Sequence, residues 1–507
     1  MKTLTLTLVP HALAVNISLE DALAKLQEAI SQQRAAIAEH LAEQIISQVP
    51  TSTSAYHLLY TILSFQQKYS KLAQYAQGLI DLMPNDSLSH FNLSNALRFM
   101  RQPNEALLSI EQAVKLAPNN ILWRNSLGIM YKETGKFTEA KKCFETCIEQ
   151  QSDFTPPYWL RSDITPKMPE HYVENLKKII DLSDAVKNKN QVVHAAYALF
   201  KHHQSINEHS TAFQYLTLGA TTQREGFNYN HQKELDEHKA IAKVFDHALC
   251  EKPQDNNTTL AQGDCPIFIC GLPRSGTTLA EQIISAHSLV AAGDELFELA
   301  QATQNILQAV KPKKQFPSWA DELSSSQWDD IGETYLRLTQ HINTARYFTD
   351  KMPLNYKAIG LIHKALPQAK IVYCLRPPMD LLLGAYQQIL STGNQYSYDL
   401  DELTDMIIAQ HQLMKHWITV IPGKIFTLDY KMLVSDQEKT THELLNFLAL
   451  DMQQSCIDFH NNKRTVHTVS NTQIRKPIFK SSINSWHKYR EQLAPYAIKM
   501  QKAGLTL

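Results

Sequence analysis

Apolar positions in the first third of the chain follow two periods. Within short segments they return at helical spacing, and over longer stretches the pattern repeats every 34 residues. Pro50, Pro84 and Pro118 keep that step, as do Leu93 and Leu127, Ala106 and Ala140, and Ala113 and Cys147. Residues 121–154, ILWRNSLGIMYKETGKFTEAKKCFETCIEQQSDF, predict a helix, a tight turn near Gly135 and a second helix. The small residues Gly128 and Ala140 let the two helices approach closely. The unit at 87–120 is similar, the one at 53–86 is degenerate, and 18–52 reads as helical and as a cap. Helical pattern continues over 170–250, where HAAYALFKHHQSINEHSTAFQYLTLGA reads as one more weakened unit. The pattern changes near residue 255. EKPQDNNTTLAQGDCP (251–266) is polar, carries two prolines and has no helical period, which marks a linker. Beyond it, β-rich runs PIFICG, SLVAAGDE, AKIVYCLR and GKIFTLDY alternate with helical segments such as TTLAEQIISAH, NYKAIGLIHKAL and DELTDMIIAQHQLMKHWITVI. That alternation predicts a parallel sheet covered on both faces.

Trp123, Leu127, Gly128, Tyr131, Ala140 and Phe144 stand in the order of a tetratricopeptide repeat, which the first half resembles. The expected division is repeats with a helical cap over 1–160, a helical continuation and linker over 161–255, and an α/β domain over 256–507. A solenoid of such repeats has a concave face. That face is a surface for a peptide or protein partner; a rigid spacer or a dimerisation surface is the competing reading, and a homodimer stays open.

Composition narrows the class. The 507 residues are 44% hydrophobic and 20% charged, with a formal net charge of −1. Nothing in that balance points to nucleic acid. No apolar run is long enough to span a bilayer. The N-terminal MKTLTLTLVPHALAVNIS is broken by threonines, Pro10 and His11, so it is read as something other than a secretory leader. Seven scattered cysteines indicate a reducing compartment, hence a cytoplasmic location. Cys143 and Cys147, four apart on a helix, could share a metal, but without a histidine or a second cysteine pair they read as core residues.

Candidate chemistry begins at GLPRSGTTLAEQ (271–282). Gly271 and Gly276 have the spacing of a phosphate-binding loop between a strand and a helix, but Thr277 and Thr278 follow where Lys and Ser/Thr would stand. Backbone N–H groups at a helix N-terminus hold an anion whatever the side chains. The missing lysine serves β- and γ-phosphates, so the loop fits a 5′-phosphate that carries something other than a polyphosphate. Arg274, inside the loop, supplies a cation.

IFICGLPRSGTTLAEQIISAH resembles the 5′-phosphosulfate loop of sulfotransferases that use 3′-phosphoadenosine 5′-phosphosulfate, and its PRSGTT form is similar to the tyrosylprotein branch. The whole chain resembles bacterial proteins that join tetratricopeptide repeats to such a domain. The implied fold is an N-terminal all-α repeat solenoid followed by a P-loop-like α/β sulfotransferase domain with a central parallel sheet. The resemblance implies that Gly271, Pro273, Arg274, Ser275, Gly276, Thr277 and Thr278 form the loop on the 5′-phosphate. In YCLRPPMDLLLGAYQQ it places Arg376 on the 3′-phosphate, with a serine expected eight residues later; that position is Gly384, which brings no hydroxyl. In AAGDE it implies a carboxylate base that takes the acceptor proton. A gapless count from Arg274 gives Glu295, whereas relatives with the acid directly after glycine give Asp294. In YFTDKMPLNY it implies that Lys351 stabilises the leaving phosphate. Tyr430, Ser470 and Lys476 or Lys480 are further donor contacts by the same resemblance, and no metal is required.

The leading expectation is sulfuryl transfer to a hydroxyl acceptor, including a protein tyrosine or another macromolecule. An inactive or weak sulfotransferase-like scaffold for protein binding is the second reading, with Gly384 as its main support. A nucleotide kinase is the third, opposed by the missing lysine.

Overall fold

The computed structural model describes residues 3–9, 13–182, 188–251, 265–342, 344–390, 393–461, 478 and 483–507. The chain forms two compact units, which meet in sequence at Thr165 and Pro166.

The first unit opens on an antiparallel hairpin, β1 (Thr3–Thr7) and β2 (Ala14–Ser18), which the sequence reading did not anticipate. Its alternation is of period two: Leu4 and Leu6 are buried while Thr3 and Thr5 face outward. Four helix pairs follow: α1 (Leu19–Ser31) with α2 (Ala35–Gln48), α3 (Thr53–Phe65) with α4 (Tyr69–Leu82), α5 (Ser87–Phe99) with α6 (Pro103–Leu116), and α7 (Ile121–Glu133) with α8 (Phe137–Gln150). Each pair turns through one left-handed residue: Gln33 (φ 57°), Gln67 (φ 56°), Arg101 (φ 62°) and Gly135 (φ 81°). These positions are 34 residues apart in succession, so residues 18–52 hold the same register as the clear repeats. Side-chain caps set several starts, with Ser18, Asp86 and Asn120 accepting from first-turn N–H groups. Cys143 and Cys147 are buried, and burial pushes their thiols up to about 11 and about 12. The Cys147 thiol donates to the Ile121 carbonyl at 3.5 Å. They pack as small core residues.

The second unit begins with helices rather than with the sheet. They include α9 (Glu170–Leu182), α10 (Lys189–Ser205), α11 (His209–Arg224) and α12 (His231–Val244). These helices are built into the α/β fold. Arg224 donates two bonds of 2.7 Å to Glu402, His238 Nε2 lies 2.9 Å from the Tyr356 hydroxyl, and Tyr197 donates to the Tyr386 carbonyl at 3.2 Å. Lys357 pairs with Glu234 and Glu237. Most of the expected linker, 252–264, lies outside the described residues.

The sheet has five parallel strands: β3 (Cys265–Cys270), β4 (Val290–Ala291), β5 (Tyr347–Asp350), β6 (Lys370–Leu375) and β7 (Ile425–Asp429). Their spatial order is β4-β5-β3-β6-β7. Four of these match the runs read as strands, although β4 is only two residues long. The fifth, β5, lies within YFTDKMPLNY, whose residues carry no strand pattern of their own. It sits between β4 and β3, with all four residues buried. Ile267, Ile269, Ile283, Ile284, Val372 and Leu428 form the core on one face. Parallel strands place all five carboxyl ends at one edge, where a crevice binds ligands in open α/β sheets.

Candidate functional site

Each strand ends on a residue or motif that the sequence analysis singled out. β3 runs into the glycine loop and then into α13 (Thr277–Ser285). Arg274 (φ 74°) and Gly276 (φ 109°) both take left-handed conformations. The Ser275 N–H between them closes the turn on the Leu272 carbonyl at 3.1 Å, and the φ at Gly276 favours a residue without Cβ. α13 has no acidic residue in its first turn and no side-chain cap. A helix N-terminus of that kind suits an anion, because its dipole is not already offset by a carboxylate in the first turn. Ser275, Thr277 and Thr278 are buried around the loop, and Pro273 and Arg274 are half-buried. The Gly271 N–H donates to the Pro353 carbonyl at 3.1 Å, which ties the loop to the segment after β5.

On the β6 side, Arg376 donates to the Arg274 carbonyl at 2.8 Å, and its guanidinium lies 4.7 Å from the centre of the Tyr430 ring. Tyr430 also covers Gly276, where an added Cβ would stand 3.1 Å from the ring. Burial pushes the Arg376 pKa down, partly offset by Tyr430 and Asp380, yet a guanidinium stays protonated at neutral pH. Gly384, on α14 (Pro378–Tyr386), faces the same place. A Cβ there would sit 3.6 Å from Arg274 Cβ and 3.9 Å from Arg376 Nη1, both ordinary contacts.

On the β5 side, Lys351 Nζ lies 2.7 Å from Glu295 Oε1. The lysine side chain is fully buried, while that of Glu295 is 44% exposed. The turn after β4 that carries Glu295 is pinned by backbone groups. The Gly293 N–H donates to Thr349 Oγ1 at 3.0 Å, and the Asp294 N–H donates to Glu281 Oε1 at 2.9 Å. The Lys351 N–H donates to the Asp294 carbonyl at 2.8 Å. Any Cβ at position 293 would overlap the Thr349 carbonyl, so only glycine fits. Asp294 takes φ 55°.

These contacts gather Arg274, Gly276, Arg376, Gly384 and Tyr430 on one side of the loop, and Lys351 and Glu295 on the other. Ser470, Lys476 and Lys480 lie outside the described residues. Among the described residues, no group of three or more His, Cys, Asp or Glu side chains gathers as a metal site would.

Residues 266–454 match the sulfotransferase family, and residues 88–120 and 124–154 match the tetratricopeptide repeat. Residues 266–454 form a sulfotransferase-family domain. An uncharacterized protein of Aquifex aeolicus (strain VF5) is 28% identical over 337 residues, covering 65% of this chain and 44% of its own length. The chain thus spans less than half of that relative. Protein-tyrosine sulfotransferase 1 of Danio rerio is 24% identical over 263 residues, covering 47% of this chain and 71% of the relative. The solved sulfotransferase domain from the curacin biosynthetic pathway is 16% identical, with a TM-score of 0.33, covering 46% of this chain and 98% of that one.

The sulfotransferase domain also holds polar groups that the sequence reading passed over. Glu281, on α13, is fully buried, and its Oε1 accepts from Thr349 Oγ1 at 2.7 Å as well as from Asp294. The visible signal was a carboxylate within an otherwise buried helix. Asp350 precedes Lys351 and is also fully buried, accepting from the Tyr335 hydroxyl at 3.0 Å and Asn355 Nδ2 at 3.1 Å. Burial pushes its carboxyl up to about 8; the Tyr335, Asn355 and Met352 donors offset this in part, and the Glu298 charge adds to it. A carboxyl with a raised folded pKa prefers its proton in the folded state. Its contribution is therefore complete below pH 4 and is lost as pH rises toward 8. The melting temperature of Asp350→Asn should accordingly gain on the wild type between pH 5 and pH 8. A constant difference across that range, in thermal melts, would contradict the raised carboxyl.

Proposed function

We propose that the domain transfers a sulfuryl group from 3′-phosphoadenosine 5′-phosphosulfate to a hydroxyl acceptor. The observation that carries this reading is the Lys351–Glu295 contact beside a lysine-free phosphate loop, which brings a cation and a base to one place. When bound, the donor supplies the sulfuryl group and a bisphosphate leaving group. The loop N–H groups with Thr277 and Thr278 hold its 5′-phosphate. Arg376, oriented by the Arg274 carbonyl and Tyr430, holds the 3′-phosphate. The acceptor oxygen bonds to sulfur while the bond from sulfur to the bridging phosphate oxygen breaks. The acceptor proton passes to the Glu295 carboxylate, and the bond's electron pair leaves on the bridging oxygen, where Lys351 and Arg274 meet the developing charge. Glu295 is favoured over Asp294 as the base because its carboxylate is both exposed and in contact with Lys351.

The repeats supply a surface for a peptide or protein, so a macromolecular acceptor, such as a protein tyrosine, is the preferred class. All seven cysteines are free, which fits a reducing, cytoplasmic setting.

Gly384 is the one observation that favours a weakened scaffold. A serine there has room, and its hydroxyl would lie beside Arg376. Gly384→Ser should tighten binding of adenosine 3′,5′-bisphosphate about tenfold, the worth of one hydrogen bond to a charged group; unchanged affinity by calorimetry would exclude that hydroxyl from the phosphate site.

The function itself is tested by supplying radiolabelled donor with a tyrosine-containing peptide and following bisphosphate release. Turnover by the wild type that falls at least 100-fold in Glu295→Gln supports the reading. Wild-type protein that leaves the donor intact overturns it.

A further inference from the structure

Three separate elements meet at one buried oxygen. Glu281 Oε1 accepts from Thr349 Oγ1 on β5 (2.7 Å) and from the Asp294 N–H in the turn after β4 (2.9 Å), while Glu281 itself belongs to α13, the helix that opens at the phosphate loop. Thr349 Oγ1 in turn accepts from the Gly293 N–H at 3.0 Å. Neither Glu281 nor Thr349 is exposed at all. Placing a carboxylate in such an interior is costly unless it makes hydrogen bonds that the fold uses. Here the bonds converge on the three-residue turn that ends at Glu295, and on the strand that Lys351 directly follows. In these contacts the Glu281 side chain holds one backbone N–H and one hydroxyl, and neither belongs to the loop mouth.

We propose that Glu281, with Thr349, is a positioning residue that sets the Glu295 turn against Lys351 and thereby couples the donor-binding helix to the acceptor base. The proposal rests on the sulfotransferase reading above. It assigns the work to the acceptor oxygen Oε1, on which the bonds from Thr349 and Asp294 both end. Glutamine at position 281 keeps that oxygen; alanine removes it. Valine at position 349 keeps the shape of threonine while removing the hydroxyl that links Gly293 to Glu281.

The test compares Glu281→Ala, Glu281→Gln and Thr349→Val in the full chain. Three quantities are measured: donor turnover with the tyrosine peptide, as bisphosphate release that counts transfer to peptide and to water alike; bisphosphate affinity by calorimetry; and amide hydrogen exchange at 293–295. Glu281→Ala and Thr349→Val should lose at least tenfold in kcat, hold bisphosphate affinity within about threefold, and exchange faster at 293–295. Glu281→Gln should stay within about threefold of wild type in all three. Alanine or valine variants with wild-type kcat would overturn the proposal, as would kcat and bisphosphate affinity falling together. A glutamine variant as impaired as alanine would overturn the assignment to the oxygen. Should Glu281→Ala fail to fold, Thr349→Val carries the same comparison. Failure of the underlying reading looks different: Glu295→Gln then turns over donor like the wild type, or the wild type does not turn it over, whatever happens at position 281.

Discussion

Lys351→Met should lower turnover by about 100- to 1,000-fold, the loss typical of removing one preorganised donor from a developing oxyanion. The fold should survive the change. The lysine side chain is fully buried, so methionine keeps its apolar stem packed and removes only the ammonium. The partner left behind, Glu295, is 44% exposed and can be solvated. The backbone tie from the Lys351 N–H to the Asp294 carbonyl is independent of the side chain. The loss should therefore fall on kcat, with bisphosphate affinity changed much less. Bisphosphate release followed under saturating donor checks it. A variant with full kcat and weakened bisphosphate affinity would move Lys351 from the transition state to simple binding.

The second large effect is expected at Arg376. Its guanidinium is fixed before any ligand arrives, by the Arg274 carbonyl on one side and the Tyr430 ring on the other. A cation preorganised and partly desolvated in this way forms short, charge-assisted bonds with a phosphate at little further ordering cost. Two such bonds contribute about 1.5–3 kcal/mol each. Arg376→Ala should then weaken bisphosphate binding by about 100-fold or more, with kcat at saturating donor much less affected. Circular dichroism would confirm that the fold is kept. Equal affinity in variant and wild type would place the 3′-phosphate elsewhere.

How much of this was legible beforehand depended on distance along the chain. The repeats were readable because Pro50, Pro84 and Pro118 mark their step locally. The register of the first pair was not, because Gln33, Gln67 and Arg101 occupy the left-handed turn position where only Gly135 announces it. The N-terminal hairpin was hidden because its threonines look like interruptions of an apolar run, whereas they form the outward row of a strand. Strand β5 was missed because its four residues, Tyr347–Asp350, end on a charge, are followed by Lys351 and carry too little β pattern to stand out. In the candidate site, Arg274, Lys351, Arg376 and the Asp294–Glu295 pair could be named beforehand because each lies in a contiguous motif. Glu281 escaped because its bonds span 13 residues to Asp294 and 68 to Thr349, and no local pattern encodes such a pairing.

The most direct measurement is a calorimetric titration of the full chain with adenosine 3′,5′-bisphosphate in the absence of metal, run beside ADP with Mg²⁺. Micromolar binding of the bisphosphate that disappears in Arg376→Ala is the predicted result. Binding of ADP with Mg²⁺ alone, or of neither nucleotide, would contradict the phosphosulfate site.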